Sequence, residues 1–368
     1  MKRLDITGLR GIAACIIAYI FHYTILFQAM PHINSFQSII MGELARYGAY
    51  MSEIFFLLSG MLMYAKYSGS LYSAKFSEFF IPKVRKIYPL MICTALMTWI
   101  LQYIGHWKFG YYILHPDGAE TRNSLTALIL SVIGAQTGWI SDNDTYAVNG
   151  PSWFISVWLV CQIFFFLITK YGKRECLRNL GYAFFTGLGL VLMLCPVKLP
   201  LLYWCSGRGY FSFFAGVLLV QIFEKLGETG RRLGCIFSFL ILVCALYFAY
   251  SRDIPNFVIY TSVVIWPSLV FLSWGSCIIR KILGASFLLW LGEMCMPIFL
   301  CNMFTDVLIR YIDLRLYLHL DYADIRVWGG HVLFSLVIAW IFHCIFEKRK
   351  KIIPDRRQRD EKGKTIKS

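Results

Sequence analysis

Charge is what this chain has least of. Of its 368 residues only 15% are charged, 58% are hydrophobic, and the mean hydropathy is +0.59. A soluble domain of this size needs far more charge to cover its surface, so a water-soluble protein is excluded. Acid is scarcer than base, with 21 Asp and Glu against 36 Lys and Arg and a formal charge of +15. A basic surplus can mean nucleic acid. Here the bases sit in loops between apolar runs, as the positive-inside rule expects, and nucleic acid is not expected as a partner. Cys-x-x-Cys pairs are missing from the twelve cysteines, most of which lie inside apolar runs, such as Cys15, Cys161 and Cys301. They read as small packing residues, and neither a disulfide framework nor a structural metal is expected. Internal repeats and Pro/Gly-rich linkers are missing too. That leaves one integral-membrane domain, 1–346, and a charge-dense tail, 347–368 (EKRKKIIPDRRQRDEKGKTIKS), expected to be disordered or to lie on an anionic leaflet.

Long apolar runs are abundant. Crossing a bilayer takes about 20 residues, and ten runs approach that length: 9–29, 47–65, 87–105, 153–170, 179–197, 207–223, 233–250, 257–278, 285–310 and 327–346. The expected fold is an all-α polytopic membrane protein of about ten transmembrane helices. The basic, apolar start resembles a signal peptide, but the run is long and lacks a small-residue cleavage site, so it is read as the first span. With the N-terminus inside, the inner segments hold 27 of the 36 lysines and arginines, which places both termini in the cytoplasm. Parity then decides residues 124–140 (SLTALILSVIGAQTGWI). If they crossed, the basic loop KYGKRECLR would fall outside, so they are expected to form an outer-face or re-entrant helix.

A few polar residues stand where hydrocarbon is expected. The first run reads LRGIAACIIAYIFHYTILF, with Arg10 at its start and His22 roughly 10 Å below its outer end. A titratable residue at that depth is expensive and reads as functional. Glu53, in YMSEIFFLLSG, enters the second span to a similar depth across a short outer loop. A carboxylate beside a histidine orients it and raises its basicity, which is general-base chemistry. Asn302, Arg208, Ser152 and Trp153 gather in the same outer half, and Lys83, Arg85 and Lys86 lie at the inner face. Blander readings stand beside these. Glu53 and Arg208 read equally as snorkelling interface residues, Trp153 as an aromatic-belt residue, and His331 and His343 as packing residues. The outer loop 106–152 carries Trp107, Tyr111, Tyr112, His115, Trp139 and Tyr146, which suit either sugar stacking or the aromatic belt.

Five segments resemble acyltransferase family 3, the bacterial membrane acyltransferases that O-acetylate surface sugars. LDITGLRGIAACIIAYIFH resembles its opening and EIFFLLSGMLMY its acidic-x-Phe-Phe-x-x-Ser-Gly motif. FIPKVRKIYPL is similar to its basic cytoplasmic motif, NGPSWFISVWLV to its Pro-Ser-Trp segment, and LGEMCMPIFLCN to its late Gly-x-x-Ser-x-x-Ile-Tyr-Leu motif. The resemblance spans about residues 3–346. It implies a bacterial inner-membrane enzyme of polysaccharide biosynthesis, with acetyl-CoA or a related acyl-CoA as co-substrate and a sugar hydroxyl as acceptor. By position it implies Arg10, His22 and Glu53 as catalytic residues, with His22 as base. Lys83 and Lys86 stand for the two arginines of an Arg-x-x-Arg motif, as ligands of CoA phosphates. Lysine keeps the charge but loses bidentate geometry, which Arg85 is positioned in sequence to supply. Trp153, Arg208 and Asn302 fall to the substrate.

The chain departs from the family pattern at several points. Ten residues usually separate the first-span Arg and His; here there are eleven. A regular helix sets the usual pair about 20° apart and this pair about 120°; either a π-bulge between Gly11 and His22 takes up the extra residue, or the pair does not share a face here. Val157 and Trp158 stand where many members carry a glutamate, Asn302 where histidine is common, and Cys295 where serine is common. Two other functions fit ten spans with buried polar groups: a transporter or flippase for lipid-linked sugars, and a sensor built on an acyltransferase-like domain. Against the transporter stands the lack of an inverted repeat or paired broken spans.

Overall fold

The computed structural model describes residues 4–348, apart from 33, 72, 115–118, 141–146 and 196. The tail beyond residue 348, with His115 and Tyr146 of the outer loop, lies outside the described residues. The chain is 81% helical, and among the described residues no strand forms. It is an all-α, multi-pass membrane protein.

Helix α1 passes without a break through Leu4–Ile16, Ile17–His22 and Tyr23–Phe27. The middle piece is π-helical, and a π turn takes up about one extra residue. The eleven-residue gap between Arg10 and His22 is accommodated in this way. Between α1 and the second span a short loop is expected, but the chain forms α2, Ser35–Gly48, whose start is capped by the Asn34 side chain accepting from the amide of Gln37. It bends by 50° into α3, Ser52–Tyr67. The third span is also longer than its apolar run. α4 is Phe76–Phe109, 34 residues, and so carries the basic motif on helix. Two short helices follow, α5 (Ala119–Arg122) and α6 (Leu125–Ile133). At nine residues, about 14 Å, α6 is too short to cross, in keeping with parity.

The rest of the bundle is α7 (Trp153–Tyr171), α8 (Glu175–Leu194), α9 (Trp204–Lys225) and α10 (Glu228–Ser251). Then come α11, in the pieces Phe257–Tyr260, Thr261–Ile265 and Trp266–Gly275, and α12 (Cys277–Leu283). The ninth expected span is split into α13 (Ser286–Glu293) and α14 (Cys295–Leu316). Pro297 has no N–H to continue the ladder across Met294. α15, Ile325–His343, closes the bundle. Among the described residues eight helices are long and apolar enough to cross a membrane, and nine if the bent pair is one span. α9, which holds the sixth run, is 22 residues long but carries Arg208 among glycines and serines and is not one of them.

α9 is the central helix, packed on α3, α8 and α7. Glycine sets its approach to α3. A Cβ on Gly60 would overlap the backbone carbonyl of Phe213, and one on Gly216 would overlap that of Leu57. Small residues allow this backbone contact in lipid, where apolar surface gains nothing by leaving the solvent.

Candidate active site

Two cavities succeed one another along the bundle. Phe154 and Leu300 line the first, while their neighbours Trp153 and Met303 line the second. The rings of Phe55, Phe154 and Phe299 meet there with centroids 5.9 to 6.0 Å apart.

The first cavity, about 400 Å³, has a basic end and apolar walls. Among the described residues Arg10, Lys66, Lys83 and Lys86 line it with one carboxylate, Glu347. Lys83 is fixed by donating to the carbonyl of Phe79 (2.6 Å), with its ammonium 3.2 Å from the Phe79 ring centroid. Lys83 and Lys86 are three residues apart and share a helical face. Arg85 is exposed and is not among the residues that line the cavity: it stands two residues from Lys83, about 200° around the helix. Lys66, from the end of α3, takes a place there that sequence alone did not single out.

The second cavity, about 240 Å³, is lined by His22, Trp153, Arg208 and Arg122. Arg208 is 7% exposed and Glu53 fully buried. Arg208 Nε donates to Glu53 Oε1, Nη2 donates to Ser52 Oγ (3.0 Å) and the Ala49 carbonyl (3.1 Å), and Ser52 donates to Glu53 Oε2 (3.0 Å). The guanidinium also lies between Trp153 and Trp204, 4.8 and 4.9 Å from their ring centroids. Both oxygens of Glu53 are thus engaged by Arg208 and Ser52. The group at Nδ1 of His22 is instead Asn302, whose amide nitrogen lies 3.1 Å away. That nitrogen also donates to the carbonyl of Ala18 and to Asp306 Oδ2, each at 3.3 Å. Asp306 Oδ1 meets Nε2 of His331 at 2.6 Å. His331, expected as a packing residue, therefore ends a buried chain that runs through Asp306 and Asn302 to His22. Tyr23 and Phe27 present ring edges to it. His343 pairs with Glu347 at 2.9 Å.

Trp153 is held by the start of its helix. Asn149 donates to Thr94 (3.0 Å) and to the Leu300 carbonyl (2.8 Å), and Gln136 donates to the carbonyl and hydroxyl of Ser152. The Pro-Ser-Trp segment is tied in this way to α4 and α14.

The order of motifs along the chain is that of one family. The acyltransferase domain model of acyltransferase family 3 matches residues 3–344. The chain belongs to acyltransferase family 3. No curated protein and no solved structure matches it. Membership of this family makes the chain an acyltransferase by class.

Proposed function

We propose that this acyltransferase moves an acetyl or similar acyl group from acyl-CoA to a hydroxyl of a cell-surface or lipid-linked sugar, in the bacterial inner membrane. The observation that carries this reading is the succession of cavities. A basic, apolar-walled cavity suits a phosphorylated thioester with a long arm, and it leads toward a polar one lined by His22. Arg10, Lys66, Lys83 and Lys86 bind the CoA phosphates. The arm runs along the apolar wall toward the junction at Phe55 and Phe154. The sugar occupies the His22 cavity beside Trp153. Its hydroxyl oxygen attacks the thioester carbonyl while His22 takes the hydroxyl proton. Collapse breaks the carbon–sulfur bond, and the proton passes to the departing thiolate. Arg208, held in place by Glu53, polarises the carbonyl. Asn302 locates the ring of His22.

The test is purified protein with labelled acetyl-CoA. His22→Ala is expected to lower transfer by about 100-fold or more while leaving membrane expression intact. Normal sugar acetylation by that variant would sink the mechanism. Saturable sugar movement without CoA release would replace it with a transporter.

A further inference from the structure

We infer that Phe55 and Phe154, together with Phe299, set the size of the acyl group, admitting acetyl and discriminating against longer chains. The inference rests on the reading that the basic cavity holds acyl-CoA and the His22 cavity holds the acceptor. The two cavities are one layer of side chains apart. Leu300 lines the first and Met303 the second, and three residues of helix rise about 4.5 Å. On α7 the change falls between consecutive residues, with Phe154 on the first cavity and Trp153 on the second. Phe55 also lines the first cavity and not the second. Phe55 and Phe154 thus close the first cavity on the side toward His22.

The chemistry of transfer puts the acyl chain into this layer. At the moment of attack the thioester carbon carries four groups. Its sulfur arrives through the first cavity with the CoA arm. The attacking oxygen comes from the second, and the carbonyl oxygen turns toward Arg208, which lines the second. The acyl chain is the fourth group, and the layer between the cavities is the direction left to it. That layer is packed. Phe55, Phe154 and Phe299 come from three helices, are all buried, and meet with ring centroids 5.9 to 6.0 Å apart. Phe154 is backed by the fully buried Phe56, with centroids 4.3 Å apart, and Phe56 lies against Gly209 of α9, where a Cβ would come within 3.3 Å of its ring. Phe55 is two residues from Glu53, whose pairing with Arg208 ties α3 to α9. Room for an acyl chain is therefore made by displacing packed rings, and each added methylene displaces them further. One methylene in a tight apolar site is worth roughly 10- to 200-fold in kcat/KM.

The experiment uses the full-length protein in inverted inner-membrane vesicles of its own host, which carry the native acceptor and turn the cytoplasmic face outward. Acetyl-CoA competes with butyryl-CoA or hexanoyl-CoA, each labelled in the acyl group, and the ratio of label incorporated is the ratio of kcat/KM. Wild type is expected to favour acetyl over butyryl by about 100-fold or more. Phe55→Ala and Phe154→Ala are expected to bring that ratio below about tenfold. Phe55→Leu and Phe154→Leu, which keep an apolar side chain and disturb folding least, are expected to fall between. A wild-type ratio under about threefold overturns the inference. So does a ratio that stays at the wild-type value in the variants, or a loss of acetyl and butyryl transfer alike in leucine variants that still elute as folded protein. Transfer from none of the donors by wild type defeats the acyl-transfer reading, and this inference with it. Equal transfer from all of them defeats this inference alone.

Discussion

At the scale of single residues the site is built from polar groups that each need a partner. Glu53 and Arg208 are both inside, and their pairing is held on every side by Ser52, Ala49 and two tryptophan rings. Removing one member of such a pair leaves an uncompensated buried charge. Glu53→Gln is therefore expected to cost about 3 to 5 kcal/mol, read as a lower unfolding midpoint in detergent, and Glu53→Gln with Arg208→Gln to recover part of the loss. His22, Arg10, Arg208 and Asn302 were legible in sequence because a polar residue in an apolar run is conspicuous. Asp306 left a fainter sign: it lies four residues after Asn302, on the same helical face. Lys66 and Arg122 left none. Nothing in a loop-end lysine or a short-helix arginine says which cavity it will face; that depends on helices far away in sequence.

At the scale of elements, helix length and register matter more than hydropathy. The π-helical Ile17–His22 takes up the extra residue of the first span and lets both Arg10 and His22 reach cavities. α4 outruns its apolar stretch and lifts Lys83 and Lys86 onto one face, while leaving Arg85 on another. The contact of α3 with α9 positions Glu53 against Arg208, and it depends on Gly60 and Gly216. Gly60→Ala has no flexible side chain to displace, only the backbone of Phe213. It is expected to abolish the folded, monodisperse protein in size-exclusion chromatography, whereas Gly69→Ala, with open space around it, is expected to behave as wild type. Span ends were the least legible part of the sequence. A cap such as Asn34 or a proline such as Pro297 sets a boundary through local hydrogen bonding that a hydropathy window averages away.

At the scale of the whole molecule the prediction is orientation. Cys176 and Cys195 are both exposed, at opposite ends of α8. With both termini cytoplasmic, a membrane-impermeant maleimide applied to intact cells is expected to label Cys195 and spare Cys176; the opposite pattern would invert the topology. By itself the sequence determined that this is a many-helix membrane protein, which family it belongs to, and which buried polar residues in its first, second and late spans deserve a role. Composition, span length and ordered motifs are properties of the chain alone, and hydrocarbon permits few structures besides helices. Only the tertiary structure decided the pairings. It set Glu53 on Arg208, put Asn302 with Asp306 and His331 behind His22, and brought Lys66 and Arg122 to the cavities. Such contacts join helices up to hundreds of residues apart, and their geometry comes from how the helices pack.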